Sequence, residues 1–534
     1  MLNDSKALHT LQNSACDRHP ARELFAVMRV QLSERRRFSQ ILPTFSDNSS
    51  MNRFLAAVCA ALVVCGFTAG SEEIPQKIPQ YAQDCRSHEW YEKQLKLWRG
   101  VIALEPKNAD AWYQLYKAQR YFFFEDKDHN RHEKQKLTEK LLEEMKNAVP
   151  ESAEYNLAYY RAGGADPARF PALEKAYKLR PQFTELYEEL VVYYELTGDI
   201  DKRNYFVKML YDGRSLAPQL FDFGYNLLMS LDNNAVILVG GDNDTYPLWI
   251  LQAVMGIRTD VTIMNTGLIF NDAYRSAFLK RNGITADADL LSEAGIAKAG
   301  RTTALQQFIK SVAEGNPAKP LHTALTLDPD ATQRIKDDLY ITGLAYKYSP
   351  KRFDNIAVLK NNWAKFRLDN LTLQFYTENT GYTATRQPYI DVNYVAPAMI
   401  LYEHYALSGE TVAAGSLRRL VLRLGRAAGQ GDEVAAYLNE AAAKQPEAPE
   451  MQPAHGENDI ILSPNPAMNS LTITLPAGLA ATVNVADMRG LLVATWKADR
   501  ATQTFPITDL APGVYTLQFF TGQGAISKVL HIAR

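Results

Sequence analysis

The hydrophobic period of this chain changes twice, and no single layer of secondary structure accommodates the three patterns. From Ser71 to about Ser230 apolar residues recur at helical spacing. At Asn234 the pattern becomes a continuous apolar, β-branched run, and beyond Ile461 it alternates with a period of two. A chain of 534 residues also exceeds what one ordinary core supports. The expected fold class is therefore multidomain: α, then α/β, then more helix, then β.

The first helical stretch, 71–230, is rich in aromatics and punctuated by proline. Tyr91, Leu95 and Trp98 precede Pro106, after which Trp112, Tyr113 and Leu115 open the next unit. Pro150, Pro181 and Pro218 each precede a similar aromatic-led segment, at gaps of 44, 31 and 37 residues. These gaps scatter around the ~34-residue period of tetratricopeptide repeats, which this stretch resembles. Such units bury their apolar faces only against a neighbour; an ordinary helical bundle would bury the same residues. The aromatic run Tyr121–Phe124 reads as packing between helices. His129 and His132, beside Asp126 and Asp128, read as a solvated loop rather than a metal pair.

Residues 231–350 are expected to form a small parallel α/β module. Ala235–Val239 suits a strand buried on both faces, ending in Gly240-Gly241. Tyr246–Met255 reads as a helix with Pro247 in its first turn, Asp260–Asn265 as a second strand, Asp272–Arg281 as a second helix, and Leu321–Leu327 as a further strand. The intervening Asp242, Asn243, Asp244 and Thr245, with Asn265, form the candidate ligand or metal site. An Asp-x-Asp pair after a buried strand offers hard oxygen ligands to a divalent cation, and open α/β sheets bind ligands at that end. Asp and Asn before a helix are equally good caps for its orphan amides, and their charge disfavours a phosphate there. Both readings stay open on the sequence.

Residues 351–445 return to helix, and the proline-rich, charged stretch 446–460 reads as a linker. Residues 461–534 carry short alternating runs between turn signals, the pattern of a small antiparallel β-sandwich. Here Ser463-Pro464-Asn465-Pro466 and Asn469, then Asp487-Met488-Arg489-Gly490, then Leu510-Ala511-Pro512-Gly513-Val514-Tyr515 stand in order at the chain end. They resemble the type A sorting domain of the type IX (Por) secretion system. The motif positions are Pro464, Asn465, Pro466, Gly490, Leu510, Pro512, Gly513 and Tyr515. The resemblance implies Sec export, passage through the outer membrane of a Gram-negative bacterium to the cell surface or medium, the type IX machinery as partner, and removal of this domain on the way.

A second resemblance covers roughly 220–440. Asn234–Trp249, Gly256–Val261, Asn265, Tyr340–Tyr346 and Asn361–Asn370 are similar to the soluble C-terminal region of bacterial protein O-mannosyltransferase-like membrane proteins. That family's catalytic carboxylates lie in its membrane half, which has no counterpart here, so no transferase role carries over.

Phe54–Ala69 is the longest apolar run, short of the ~18–20 residues that span a bilayer. With Met51-Asn52-Arg53 before it and Thr68-Ala69-Gly70 after it, residues 51–70 read as a signal peptide. Residues 1–50 then read as a mis-annotated extension upstream of the true start. A lipoprotein reading at Cys65 ranks second, because Val64 sits where that processing site wants a small residue. Of the cysteines at 16, 59, 65 and 85, cleavage near Gly70 leaves Cys85 alone, so no internal disulfide is expected. The net charge of −2 suggests no nucleic-acid partner.

No serine-hydrolase elbow, zinc-protease helix or phosphate loop occurs. The sequence thus favours a non-enzymatic, exported binding module for a peptide or glycan, with no cofactor. The alternative is a glycan-active enzyme, or an accessory module of a glycosyltransferase, using Asp242 and Asp244 around a divalent cation.

Overall fold

The computed structural model describes residues 74–81, 84–164, 166–372, 387–443, 460–476, 478–487, 492–521 and 524–533. The expected leader 51–70, the extension 1–50, the linker up to residue 459 and Gly490 lie outside these residues.

The aromatic-rich stretch folds as consecutive helices: α1 (His88–Leu104), α2 (Ala109–Glu125), α3 (Arg131–Ala148), α4 (Ala153–Ala162), α5 (Phe170–Leu179), α6 (Glu185–Thr197), α7 (Ile200–Asp212) and α8 (Pro218–Met229). Pro106, Pro150 and Pro181 stand in the turns before α2, α4 and α6, and Pro218 opens α8, where its missing N–H costs nothing. Side-chain caps define the starts. Ser87, Asn108, Ser152 and Asp199 each accept a backbone N–H, and Asn130 forms a full capping box with Glu133.

The helices ending at Met229 give way to a five-stranded sheet of order β2-β1-β3-β5-β4, with β1 (Val236–Val239), β2 (Thr262–Asn265), β3 (Leu321–Ala324), β4 (Leu339–Ile341) and β5 (Ala345–Tyr348). β1 pairs parallel to both β2 and β3, while β5 pairs antiparallel to β3 and β4. All four residues of β1 are buried, and successive side chains enter different cores. Ile237 and Val239 join the helical array; Val236 and Leu238 join a second cluster with Phe278, Phe308 and Val312. That second cluster is covered by α10 (Asp272–Asn282), α11 (Glu293–Ala299) and α12 (Arg301–Gly315). The helix after β1, α9 (Asp242–Ala253), begins four residues earlier than the sequence suggested. Pro247 lies inside it rather than in its first turn, and Asp242 and Asp244 occupy that turn.

The later helices α13 (Asn355–Trp363), α14 (Asp369–Thr372), α15 (Gln387–Asp391), α16 (Val395–Leu407), α17 (Thr411–Ala427) and α18 (Gly431–Ala443) return to the first core. One hydrophobic cluster runs from Ile102 in α1 to Leu438 in α18. A buried polar knot ties the segments. Leu344 N–H donates to Ser230 Oγ at 2.9 Å, Asn362 Nδ2 to Thr342 O at 2.8 Å, and Asn226 Nδ2 to Arg367 O at 2.7 Å. Gly343 is required there: its φ is +152°, and a Cβ would stand 2.1 Å from Ser230 Oγ.

The C-terminal strands β6 (Ile461–Ser463), β7 (Ser470–Thr474), β8 (Ala481–Ala486), β9 (Leu492–Ala498), β10 (Thr502–Pro506), β11 (Gly513–Thr521) and β12 (Gly524–Ile532) form two antiparallel sheets, β10-β7-β6 and β12-β11-β8-β9. Alternate residues such as Leu471, Ile473, Val483, Val485, Leu517 and Phe519 share one core. These strands are the short alternating runs expected beyond Ile461.

Candidate functional site

Gly240 and Gly241 carry the chain from β1 into α9, and Asp244 turns back to hold that corner. Its Oδ1 accepts from Gly241 N–H at 2.7 Å, its Oδ2 from Gly240 N–H at 3.3 Å, and the Thr326 hydroxyl donates to Oδ2 at 2.6 Å. Thr245 donates to Gly241 O at 2.6 Å, and Asn265 Nδ2 donates to the Thr245 hydroxyl at 3.0 Å. Asn265 Oδ1 in turn accepts from the N–H groups of Gly267 and Leu268. Asp244, Thr245 and Asn265 therefore hold the strand–helix turn together. Asn243 is partly buried beside them.

Asp242 is different. On a helix, residues two apart diverge by about 200°, so its carboxyl leaves the turn that Asp244 caps. There it feels the charges of Arg161 on α4, eighty-one residues earlier in the sequence, and of Glu188 and Glu189 on α6, more than fifty residues earlier. Arg161 has several partners of its own. Its Nε donates to Glu189 at 2.6 Å, its Nη1 to the Tyr113 hydroxyl at 2.5 Å, and its Nη2 to Glu185 O at 3.2 Å. Glu185 also accepts from Lys117 Nζ at 2.7 Å and from the Tyr113 hydroxyl at 2.8 Å. Burial pushes the Glu185 carboxyl up, but Lys117 and Arg161 outweigh it and hold it below its ordinary value. Two cations thus balance Glu185 and Glu189.

At Glu188 and Asp242 the pull of Arg161 is outweighed. Burial, then the charge of Asp242, pushes Glu188 up to about 8. Burial, then Glu189 and Asp244, pushes Asp242 up to about 6. Asp242 is exposed and Glu188 only partly buried by solvent contact, yet protein surrounds both closely enough to desolvate them. These carboxyls therefore touch water while close-packed protein opposes their charge. Tyr246 lies beside them, its hydroxyl donating to Glu188 O at 3.4 Å. Burial also pushes the Tyr116 hydroxyl up, against the pull of Arg120 and Arg161.

Among the described residues, no group of three or more His, Cys, Asp or Glu is arranged to hold a metal ion. His129 Nδ1 pairs with Asp126 Oδ2 at 2.9 Å, and His132 lies in the first turn of α3. No described helix is long and apolar enough to cross a membrane. Cys85 is a free thiol.

The motif residues of the C-terminal sheets fasten strand ends. Asn465 Nδ2 donates to Val529 O and its Oδ1 accepts from His531 N–H, both at 2.8 Å, stitching the Pro464–Pro466 turn to β12. The Tyr515 hydroxyl donates to Ala511 O at 2.7 Å across Pro512 and Gly513, and Leu510 packs on the core. Lys528 and Val529 border an open depression of about 290 Å³ with Ile460–Leu462 and Asn465.

Residues 462–533 match the secretion system C-terminal sorting domain. The tail therefore supports export through the type IX system to the cell surface or medium, and implies contact with that machinery. Residues 220–286, which hold α8, β1, α9, β2 and α10, match TMEM260-associated domain 2. No curated protein matches the chain. The charged residues Arg161, Glu185, Glu188 and Glu189 around Asp242 were not singled out from sequence. They carry no motif, and only the fold brings their charges within reach of Asp242.

Proposed function

We propose that residues 71–445 are a non-enzymatic binding module for a peptide or glycan, with helices of tetratricopeptide type. Its ligand face would be the cleft between α4, α6 and the start of α9. The observation that carries this reading is the pair Glu188 and Asp242, two closely surrounded carboxyls whose desolvation and like-charged neighbours outweigh the pull of Arg161. Such carboxyls bind a cationic group as carboxylates, or donate to hydroxyl and carbonyl oxygens when protonated. A bacterial outer-membrane surface or the surrounding medium is the proposed place of action, after Sec export with the leader at 51–70.

One observation favours the enzymatic alternative. Two neighbouring carboxyls held near 6 and 8 resemble an acid and base pair tuned apart by environment. The metal version of that alternative, through Asp242 and Asp244, would have to share Asp244 oxygens already used by Thr326, Gly240 and Gly241.

Glycan-array and peptide-library binding by the chain from residue 71, against Asp242→Asn and Glu188→Gln, tests the main reading. Ligands lost in both variants support it; ligands bound unchanged by both refute the cleft. Incubation with nucleotide sugars, and calorimetry with manganese or calcium against Asp242→Ala, test the alternative. Turnover, or metal binding that Asp242→Ala abolishes, would replace the binding-module reading with it.

A further inference from the structure

The stretch Ile74–Tyr81 is neither helix nor strand, and it repeats itself: Ile-Pro-Gln-Lys, then Ile-Pro-Gln-Tyr. Proline at every fourth position removes backbone donors and favours an extended path, so this segment cannot satisfy its own main chain. Helix side chains satisfy it instead. Gln76 N–H donates to Gln94 Oε1 at 2.7 Å, and Ile78 N–H to Gln114 Oε1 at 2.8 Å. Lys117 Nζ donates to Ile78 O at 2.6 Å, and Trp98 Nε1 to Gln76 O at 3.1 Å. Gln80 is read through its amide, which donates to Glu185 at 3.1 Å and accepts from the Tyr121 hydroxyl at 2.9 Å.

Between these contacts Ile78 is wholly buried with Tyr91, Ala118 and Tyr121, whereas Ile74 is 82% exposed and Lys77 is exposed. One side chain anchors, alternate main-chain groups are recognised, Gln80 and Tyr81 make side-chain contacts, and Ile74, Gln76 and Lys77 face water. That is how an extended peptide is read by a groove. The groove spans three helices, α1, α2 and α6, and its polar readers Gln94, Gln114 and Lys117 are themselves buried. The Tyr121–Phe124 run, read from sequence as packing between helices, lines it: Tyr81 packs against both Tyr121 and Phe124.

We infer that this groove is a peptide-recognition site for an extended Ile-Pro-Gln segment, and that residues 74–81 are its resident occupant. A tethered occupant acts at roughly millimolar effective concentration, so a free peptide of the same chemistry reaches the groove only when the strap is displaced. Leader cleavage near Gly70, as the sequence suggests, leaves the strap at the free end of the mature chain. The inference rests on the binding-module reading and gives it a ligand class, through a groove that adjoins the carboxyl cleft at Glu185.

The test uses the chain from residue 71 with Ile78→Asp, which ejects the anchor, and a second variant lacking residues 71–81. The probe is a fluorescent synthetic peptide, Ile-Pro-Gln-Lys-Ile-Pro-Gln-Tyr, followed by anisotropy. Saturable binding is expected to both variants, at least tenfold tighter than to the unaltered chain, and lost when the peptide's second Ile is replaced by Asp. If the deletion variant lacks a cooperative unfolding transition, Ile78→Asp alone decides. No gain in peptide affinity in a folded variant overturns the inference. Array ligands sensitive to Asp242 and Glu188 would leave the cleft reading standing even then.

Discussion

Replacing Glu188 by Gln should stabilise the protein above neutral pH and leave it unchanged in mild acid. The folded carboxyl titrates at about 8 against an ordinary 4.5, because burial and the nearby Asp242 oppose its charge. Between those values the unfolded chain has released this proton and the folded chain retains it. Stability therefore falls as pH rises through the window and levels off above 8. A shift of one pKa unit corresponds to about 1.4 kcal/mol, so the ceiling is about 5 kcal/mol. The side chain still touches water, which reduces the expected gain to about 1–2 kcal/mol at pH 8.5. Gln mimics the protonated form, so the variant lacks this slope.

Urea unfolding of the chain from residue 71, followed by tryptophan fluorescence, measures the difference at pH 5 and pH 8.5. The two proteins should nearly coincide at pH 5 and separate at pH 8.5. An equal difference at both pH values would show that the carboxyl titrates normally. A wild type more stable than Glu188→Gln at pH 8.5 would show that a cation compensates the charge, and the cleft would lose its unbalanced carboxyl.

Asp244→Ala removes the acceptor for two backbone N–H groups and the Thr326 hydroxyl, and should cost about 2–4 kcal/mol in the same urea assay. Asp242→Ala should change stability by less than about 0.5 kcal/mol or raise it, since its carboxyl is held above its ordinary range. Arg161→Leu uncovers Glu185 and Glu189 and should cost about 3–5 kcal/mol, with the variant's deficit shrinking as acid protonates those carboxylates. Asn465→Ala breaks both stitches to β12 and should destabilise the C-terminal sheets by about 1–3 kcal/mol, read by calorimetry.

Much of this architecture was legible because its signals are local. β1 is a four-residue run of Val, Ile, Leu and Val, and a strand so composed must be covered on both faces. The proline turns before α2, α4 and α6 are likewise written in single residues. β4 and β5 escaped notice because Leu339–Tyr348 has no alternation long enough to read. The stretches Tyr340–Tyr346 and Asn361–Asn370 looked like separate islands of resemblance. In the fold they are one feature, since Thr342, Leu344 and Asn362 all bond to Ser230 at the end of α8. The cleft was illegible for the opposite reason: Arg161 and Glu188 signal nothing until they face Asp242.

The Asp242-Asn243-Asp244 motif shows how a boundary of four residues decides a functional reading. Taken as a loop, the two carboxyls are free to converge on one cation. Pro247 encouraged that reading, because proline favours the first turn of a helix and so pushed the expected start to Tyr246. Within α9 proline forgoes only the bond to the carbonyl four residues back, and the helix starts at Asp242 nonetheless. Once both residues are helical, their separation of about 200° assigns them opposite directions. Asp244 turns in, where three donors satisfy it; Asp242 turns out, where Glu188 and Glu189 repel it and burial keeps its proton to about pH 6. The capping reading and the ligand reading are therefore not rivals for one motif. The first describes Asp244, and the proposed ligand role belongs to Asp242, with partners the motif never contained.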